Sequence, residues 1–280
     1  MKKLTIYDLI SMKRSGSKIV MLAAYDYPTA AMVDKAGIDL ILVGDSVGMV
    51  VLGYNNPLPV TMDEMIYHSK AVVRGAKRAL VVGDLPFMSY HVNVEDTIRN
   101  AGRFVKEAGV DAVKLEGGAE VAHKIEALVE VGIPVQGHIG LQPQRAFMSG
   151  GFKIQGKDAE TAKKILKDAL AIEKAGAFSV LLEFVAAEVS QRISNELKIP
   201  AIGIGSGPYC DGQSLVLQDL LGINENPPPF AKKYANLSQT MNTALGEYVR
   251  EVREGAFPRE ENTIHMDREE SKKFKDLPRE

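Results

Sequence analysis

One sequence unit recurs along the chain and constrains the fold more than any other feature. It consists of a charged residue, an Ala-Gly pair, a short joint and an apolar run, as in KAGIDLILVGD (35–45), EAGVDAVKLEGG (107–118) and KAGAFSVLLEF (174–184). Glycine suits the left-handed conformation that ends a helix, and a continuous run of Val, Leu and Ile is typical of a strand buried on both faces. Each unit therefore predicts a helix end followed by a buried strand.

Counting the apolar runs gives the predicted number of strands. Two more segments use Ile-Pro at the same joint, at 130–140 and 196–205. Eight parallel strands alternating with helices predict a closed (β/α)8 barrel; the alternative is an open doubly wound sheet, which the lack of a dinucleotide-binding fingerprint disfavours. The predicted strands are 18–26, 39–46, 80–87, 112–118, 135–141, 179–185, 201–207 and 214–219, all feeding helices.

The two ends of the chain carry different signals. Thr5 and Asp8 have the spacing of a capping box, which predicts a short helix over 5–15 that covers the bottom of the barrel. Because a single barrel needs roughly 250 residues, we predict one catalytic domain over 1–265. Residues 266–280 are densely charged, which predicts a solvated helix or disorder.

Composition limits the partners and the compartment. The chain has 34 Lys and Arg against 36 Asp and Glu, a net charge of −2, so no overall charge attracts nucleic acid or an anionic membrane, and small-molecule partners are expected. The single cysteine, Cys210, excludes an intramolecular disulfide and a Cys-built zinc site. No signal peptide and no membrane-length apolar run is found, so a cytoplasmic protein is expected.

Ionisable residues end six of the predicted strands. A single acid at such a position is as often the N-cap of the next helix as a functional group. Six ionisable residues at the carboxyl ends of barrel strands, where active sites form, together indicate an active site. They are Asp26, Asp45, Asp84, Glu116, His138 and Glu183.

Three of these acids predict a metal site. Asp45, Asp84 and Glu116 end neighbouring strands, which lie about 4.8 Å apart, so their carboxylates would point into one opening and repel one another without a cation. Oxygen ligands without thiols suit Mg²⁺, which keeps several waters and leaves room for a substrate. We therefore predict Mg²⁺.

The neighbours of these acids are candidates for substrate binding. Lys114 lies on the same face of its strand as Glu116, and it either neutralises the acids or binds an anionic substrate. Ser46 follows Asp45 and could donate to the same anion. His138 is equally a packing residue and a ligand.

Glu183 is the candidate general base. It ends the sixth strand after the run SVLL, across the barrel from the second and third strands and apart from the metal cluster. Apolar neighbours would make this carboxylate a stronger base. The alternative is a helix cap. Another glycine-rich segment, GIGSGPYCDG (203–212), is predicted to be a tight turn with an unreactive Cys210.

Several long motifs together resemble the ketopantoate hydroxymethyltransferase family. The resemblance runs from about Leu4 to Phe257, with Gln142 and Ser206 as departures that concern loop details. The motifs are AYDY (24–27), VGDSVGM (43–49), LPVTMDEM (58–65), DLPFM (84–88), VKLEGG (113–118), GHIGLQPQ (137–144), GGFKIQGK (150–157) and IPAIGIGSGPYCDGQSLVLQDLLGI (199–223).

The resemblance implies a fold, a reaction and an assembly. The fold is a barrel of the phosphoenolpyruvate/pyruvate-binding type, and the reaction transfers a hydroxymethyl group from 5,10-methylenetetrahydrofolate to 3-methyl-2-oxobutanoate, giving 2-dehydropantoate for pantothenate and coenzyme A synthesis. A homo-decamer is also implied. By resemblance, Asp45 and Asp84 bind Mg²⁺, and Glu116 supports it directly or through water. By the same resemblance Ser46, Asp84 and Lys114 hold the oxo acid, and Glu183 is the base. Asp45 and His138 are further candidates for substrate binding.

Two other functions remain as alternatives. One is a magnesium-dependent carbon–carbon lyase or phosphonopyruvate-type mutase of the same barrel type, against which the absence of a KKCGH motif argues. The other is a catalytically silent barrel that binds an oxo acid, against which the intact acid cluster, Lys114 and Glu183 argue.

Overall fold

A closed barrel of eight parallel strands forms the centre of the chain. The computed structural model describes residues 2–145 and 153–278, so part of the motif at 150–157 lies outside the described residues. Each strand pairs with the next, and β8 pairs with β1, which confirms the predicted closed barrel. The strands are Ile19–Ala23 (β1), Leu40–Val43 (β2), Leu80–Asp84 (β3), Ala112–Glu116 (β4), Val135–Gly140 (β5), Ser179–Glu183 (β6), Ala201–Ile204 (β7) and Gly212–Val216 (β8).

Helices surround this barrel between most strands. Asn93 and Asp158 cap the helices that follow them, each accepting from backbone N–H groups of the first turn. The helices are Ile6–Ser15 (α1), Tyr27–Lys35 (α2), Val47–Val50 (α3), Met62–Gly75 (α4), Val94–Arg103 (α5), Ala122–Glu130 (α6), Ala159–Lys174 (α7), Ala187–Glu196 (α8), Leu217–Leu220 (α9), Leu237–Glu254 (α10) and Arg268–Lys275 (α11).

The recurring Ala-Gly joints behave as predicted. Gly37, Gly109 and Gly176 have φ angles of 90°, 76° and 92°, a conformation that glycine adopts without steric cost. The strands that follow are buried almost throughout, because helices cover one face and the barrel interior the other.

The strand boundaries differ from the prediction at the carboxyl ends. The predicted strands run one to three residues too far, so Asp45 and Ser46 lie in the loop after β2 rather than on it. For β3 the reason is Pro86, which has no N–H for the sheet and stops the strand at Asp84. The opening is therefore bordered by loops and helix ends rather than by longer strands.

The connection from β7 to β8 corrects a second expectation, since no helix is present there. Residues 205–211 run directly between the two strands. Gly205 and Gly207 have positive φ, and the Ser206 hydroxyl donates to Leu182 O at 2.7 Å, which makes the predicted tight turn. Cys210 is buried, and burial raises the pKa of its thiol to about 11, so the thiol is unreactive at neutral pH.

Helix α1 covers the bottom of the barrel as predicted. Thr5 and Asp8 form the capping box at its start. From its last turn, Lys13 Nζ reaches Asp211 Oδ2 at 2.6 Å, next to the start of β8. Lys18 donates to the Cys210 carbonyl at 2.6 Å. These bonds tie the N-terminal segment to the amino-terminal end of the last strand.

The described chain forms two compact units. They are Met1–Tyr234, which contains the barrel, and Ala235–Glu280. Neither α10 nor α11 has a buried residue, which explains why the division falls before α10. No helix in the described residues is both long and apolar enough to cross a membrane.

Candidate active site

One cavity of about 440 Å³ opens at the carboxyl ends of the barrel strands. The sheet register explains how residues distant in sequence meet there: Asp84 pairs with Lys114, Glu116 with His138, and Gly140 with Glu183. Seven of the eight candidate residues named from the sequence line this cavity: Asp45, Ser46, Asp84, Lys114, Glu116, His138 and Glu183.

A buried ion pair lies at the bottom of the cavity. Lys114 Nζ donates to Asp84 Oδ1 at 2.6 Å, and both side chains are almost fully buried. Burial opposes the charge on Lys114, but the carboxylates of Asp84, Glu116 and Asp45 outweigh it and raise the pKa of Lys114 above its usual value. Lys114 is therefore a permanent cation facing the cavity.

Asp45 lies beside this pair. Its backbone N–H donates to Asp84 Oδ2 at 3.1 Å, which holds the two acids next to each other. Burial, and then the negative charge of Asp84, raise the pKa of the Asp45 carboxyl well above its ordinary value. A cation at this point would relieve that repulsion.

Glu116 is held by a residue from the loop after β5. The backbone N–H of Gln144 donates to Glu116 Oε2 at 3.1 Å, and Gln144 Nε2 donates to Asp45 Oδ2 at 2.8 Å. The Tyr90 hydroxyl donates to Gln144 Oε1 at 2.8 Å. One buried glutamine thus connects two of the predicted metal ligands.

His138 lies between two acids and links the acid cluster to the candidate base. Its Nδ1 is 3.4 Å from Glu116 Oε1 and its Nε2 is 3.1 Å from Glu183 Oε2. Neither nitrogen–oxygen pair has the geometry of a hydrogen bond, so the attraction is electrostatic. Burial and the charge of Lys114 oppose protonation, but the two glutamates outweigh them and raise the pKa of His138 to about 9. Glu183 is therefore less separate from the cluster than predicted.

Glu183 itself borders the open part of the cavity. Its side chain keeps 15% of its accessible surface, against 1% for Glu116. The backbone behind it is fixed, because Leu141 N–H donates to Glu183 O at 2.8 Å and Gly140 packs against the same carbonyl. The following residue, Phe184, has a φ of 52°, a conformation rarely adopted by large side chains.

Ser46 and Asp26 have roles that differ from those of the residues described above. Ser46 shares a hydrogen bond with the Tyr25 hydroxyl, the two oxygens being 2.8 Å apart, and so faces the cavity in a fixed orientation. Asp26 is a correction: it caps α2 by accepting from Thr29 N–H at 2.8 Å and does not line the cavity. The capping alternative is correct for this acid.

The family is decided by the whole sequence rather than by these side chains alone. Residues 3–260 match the family described as ketopantoate hydroxymethyltransferase. The chain belongs to this family. Enzymes named 3-methyl-2-oxobutanoate hydroxymethyltransferase are 54% identical in Heliobacterium modesticaldum, covering 96% of this chain and 98% of that one, and 53% identical in Staphylothermus marinus, covering 98% and 100%. The resemblance predicted from the motifs is confirmed.

Solved structures share the fold of this ketopantoate hydroxymethyltransferase family member. Phosphonopyruvate hydrolase in complex with oxalate and Mg²⁺ superposes with a TM-score of 0.59 at 14% identity, covering 97% of this chain and 98% of that one. For 2,3-dimethylmalate lyase, of the PEP mutase/isocitrate lyase superfamily, the TM-score is 0.59 at 14% identity, with 98% and 99% covered. The predicted (β/α)8 fold is confirmed.

The residues present fit a hard cation held partly by solvent and substrate. Within residues 2–145 and 153–278, no three His, Cys, Asp or Glu side chains form a ready-made metal site. Magnesium usually takes only one or two protein carboxylates and completes its shell with water and substrate oxygens. The adjacent Asp45 and Asp84 supply such a pair, and the buried Glu116 Oε1 has no hydrogen-bond partner.

Sequence reasoning missed three residues of this ketopantoate hydroxymethyltransferase site. Tyr25, Tyr90 and Gln144 are buried and hydrogen-bond to the predicted site residues. All three stand in loops just after strands. Gln144 falls within the motif GHIGLQPQ and Tyr25 within AYDY, so membership of these motifs was the available signal.

Proposed function

We propose that the chain transfers a hydroxymethyl group from 5,10-methylenetetrahydrofolate to 3-methyl-2-oxobutanoate, giving 2-dehydropantoate. The observation that carries this proposal is one cavity that combines a fixed cation, Lys114, a pair of adjacent acids, Asp45 and Asp84, and a separate acid, Glu183, in a member of the ketopantoate hydroxymethyltransferase family. These groups match the needs of a reaction that removes a proton next to a ketone.

Asp45 and Asp84 would hold Mg²⁺, with Glu116 supporting it directly or through water. When bound, Mg²⁺ withdraws electrons from the keto oxygen of the substrate and makes its C3 proton more acidic. Lys114 holds its ammonium group against Asp84 and faces the same space, so it is placed to bind the carboxylate of the oxo acid. The Ser46 hydroxyl, oriented by Tyr25, supplies a further donor.

Glu183 removes the proton from C3. Its carboxylate borders the open part of the cavity, and the fixed backbone on both sides limits its movement. His138 lies 3.1 Å from Glu183 Oε2 and carries positive charge when protonated, so it orients the carboxylate. The electron pair left on the substrate forms an enolate, and its C3 bonds to the one-carbon unit of the folate. Water supplies the hydroxyl oxygen of the new hydroxymethyl group as the carbon–nitrogen bonds to the folate break, and tetrahydrofolate leaves carrying the proton.

The two alternatives receive less support. Lyases and mutases of the same barrel type share the fold at 13–16% identity, whereas the hydroxymethyltransferases are more than 50% identical over nearly the full length. A silent binding barrel would not need to keep Glu183 in the cavity beside the paired acids.

Exchange of the C3 hydrogen tests the base directly. In deuterated water with Mg²⁺ and no folate, the wild-type chain should exchange the C3 hydrogen of 3-methyl-2-oxobutanoate, and Glu183→Gln should not. The variant should also lose about 10² to 10⁴ in turnover while its affinity for the oxo acid changes only a few fold. Exchange at the wild-type rate in the variant would assign the proton transfer to another group.

Chelation tests the metal. Removal of divalent cations should abolish turnover, and Mg²⁺ should restore it. Asp84→Asn should weaken binding of both metal and oxo acid, because Asp84 touches Lys114 and lies beside Asp45. Full activity in excess chelator would contradict the metal assignment.

The family resemblance also underlies proposals about assembly and compartment. We propose a cytoplasmic homo-decamer. Helix α10 supports contact between copies, because five apolar side chains along it are exposed: Met241, Leu245, Tyr248, Val249 and Val252. Light scattering should give ten times the chain mass, and a monomer at working concentrations would contradict the assembly.

A further inference from the structure

The cavity is larger than the oxo acid needs. A volume of 440 Å³ lies in the range of about 300–1,000 Å³ that holds drug-sized ligands, whereas 3-methyl-2-oxobutanoate is far smaller. The residues proposed to bind this acid, Asp45, Asp84 and Lys114, are clustered at the buried end. Space therefore remains for a second and larger group.

Much of the remaining lining is apolar, and most of this apolar part is more exposed than the acid cluster. We call it the apolar wall, and it consists of Met49, Val50, Pro57, Phe184 and residues 227–230. The rings of Phe184 and Phe230 pack at 5.4 Å between centroids. Proline loses no side-chain freedom when a ring packs on it, so the wall is a preformed surface for a flat aromatic group.

One buried acid beside this wall has no part in the mechanism. Asp219, on α9, lines the cavity and is only 4% exposed. Asn224 Nδ2 donates to its Oδ1 at 2.7 Å, and no described residue donates to its Oδ2. Burial raises the pKa of Asp219, while the Asn224 hydrogen bond and the charge of Lys233 lower it. A ligand that donates N–H groups would complete its hydrogen bonding.

A carboxylate next to a flat apolar surface fits a heteroaromatic ring with two neighbouring N–H donors. Carboxylates pair best with two parallel donors, as in a guanidinium. The 2-amino group and N3–H of a pterin form the same pattern. We propose that Asp219 and the apolar wall bind the pterin ring of the folate donor, an assignment that rests on the proposed function.

Matched variants separate this role from a structural one. Asp219→Asn keeps an oxygen to accept from Asn224 and replaces the second oxygen by a donor, which repels the ring N–H groups. Met49→Ala shortens the apolar wall. Met32→Ala is the control, because Met32 is an exposed methionine on α2 that does not line the cavity.

Calorimetry with Mg²⁺-loaded protein should use three probes: tetrahydrofolate, 6-methyltetrahydropterin and p-aminobenzoylglutamate. Asp219→Asn should weaken binding of the first two by about 10- to 100-fold, the range expected for hydrogen bonds to a charged group, and leave the third unchanged. Met49→Ala should weaken the first two by several fold. Met32→Ala should match wild type.

Folate-free C3 exchange distinguishes failure of this site from failure of the proposed function. Both cavity variants should exchange the C3 hydrogen at the wild-type rate, because no hydrogen bond or ion pair among the described residues joins Asp219 or Met49 to Glu183 or to the residues proposed to bind the oxo acid. If wild type exchanges and Asp219→Asn binds the pterin as wild type does, the site assignment is overturned. If Asp219→Asn also loses exchange, Asp219 supports the oxo-acid end and the assignment is again overturned. A wild type that does not exchange contradicts the proposed function itself.

Discussion

Replacing Gln144 by methionine should disrupt the active site, although Gln144 is not one of the residues proposed to bind substrate. Methionine keeps the length of the side chain but removes its amide. The lost hydrogen bonds are those to Asp45 Oδ2 at 2.8 Å and to Leu85 O at 3.0 Å, together with the one accepted from Tyr90 at 2.8 Å. The backbone N–H of residue 144 can still donate to Glu116, so that carboxylate keeps its partner.

The magnitude follows from the groups left without partners. Two buried acceptors lose their donor, and each unpaired acceptor costs about 1–3 kcal/mol. Tyr90 keeps a second acceptor in the Glu116 carbonyl at 3.2 Å and contributes little. We expect a loss of about 2–4 kcal/mol in the free energy of unfolding, below the full sum because water in the cavity can solvate Asp45.

The assay combines urea denaturation in chelator with calorimetric Mg²⁺ binding. Because Asp45 loses the group that holds it, Mg²⁺ affinity should fall about 10- to 100-fold, as for other residues that support metal ligands. Gln136→Met is the matched control: Gln136 is equally buried in the barrel, but it donates only to Ser179 Oγ at 2.9 Å. Equal effects of the two substitutions on stability and on Mg²⁺ affinity would refute the reasoning.

Three further predictions concern protonation, backbone and tail. In chelator, wild type should be more stable than His138→Gln below pH 6.5, because folding raises the pKa of His138 from 6.5 to about 9. This advantage should be lost as the pH rises through 9. A stability difference that does not vary with pH in denaturation curves would contradict the prediction. Gly140→Ala should destabilise the fold more than Gly132→Ala, and it should also lower turnover. Both glycines have positive φ, but only at residue 140 would the new Cβ lie 2.4 Å from Glu183 O. Equal melting temperatures of the two variants would contradict this prediction. Truncation after His265 should leave activity and oligomer mass unchanged, because α11 has no buried residue; a fall in mass by light scattering would make the tail an interface element.

Much of the fold was predictable because the barrel repeats one local pattern. The Ala-Gly joints and the apolar runs are short-range signals, and they gave all eight strands. The tight turn between β7 and β8 was also predicted, from the glycine-rich segment 203–212, but the expectation that every strand feeds a helix was too general and failed at β7. Strand ends were overextended because loops that remain buried are as apolar as strands.

The candidate site was likewise predictable only in part. Acids at strand ends could be predicted, since the parallel barrel brings all its carboxyl ends to one opening. Asp26 shows the limit, because a cap and a site residue look alike until the direction of the side chain is known. Gln144 and Tyr90 come from loops, and only the closed barrel brings them beside Asp45 and Glu116.

The closure between β1 and β8 has a consequence for synthesis of the chain on the ribosome. Val20 pairs with Gln213, nearly two hundred residues later. At about 5–20 residues per second, the first strand leaves the ribosome about 10–40 s before its last partner exists. During that time the growing sheet has two open edges, and open edges recruit strands from other chains. Production of this enzyme should therefore depend on chaperones that cover β1, and slower translation should increase that dependence.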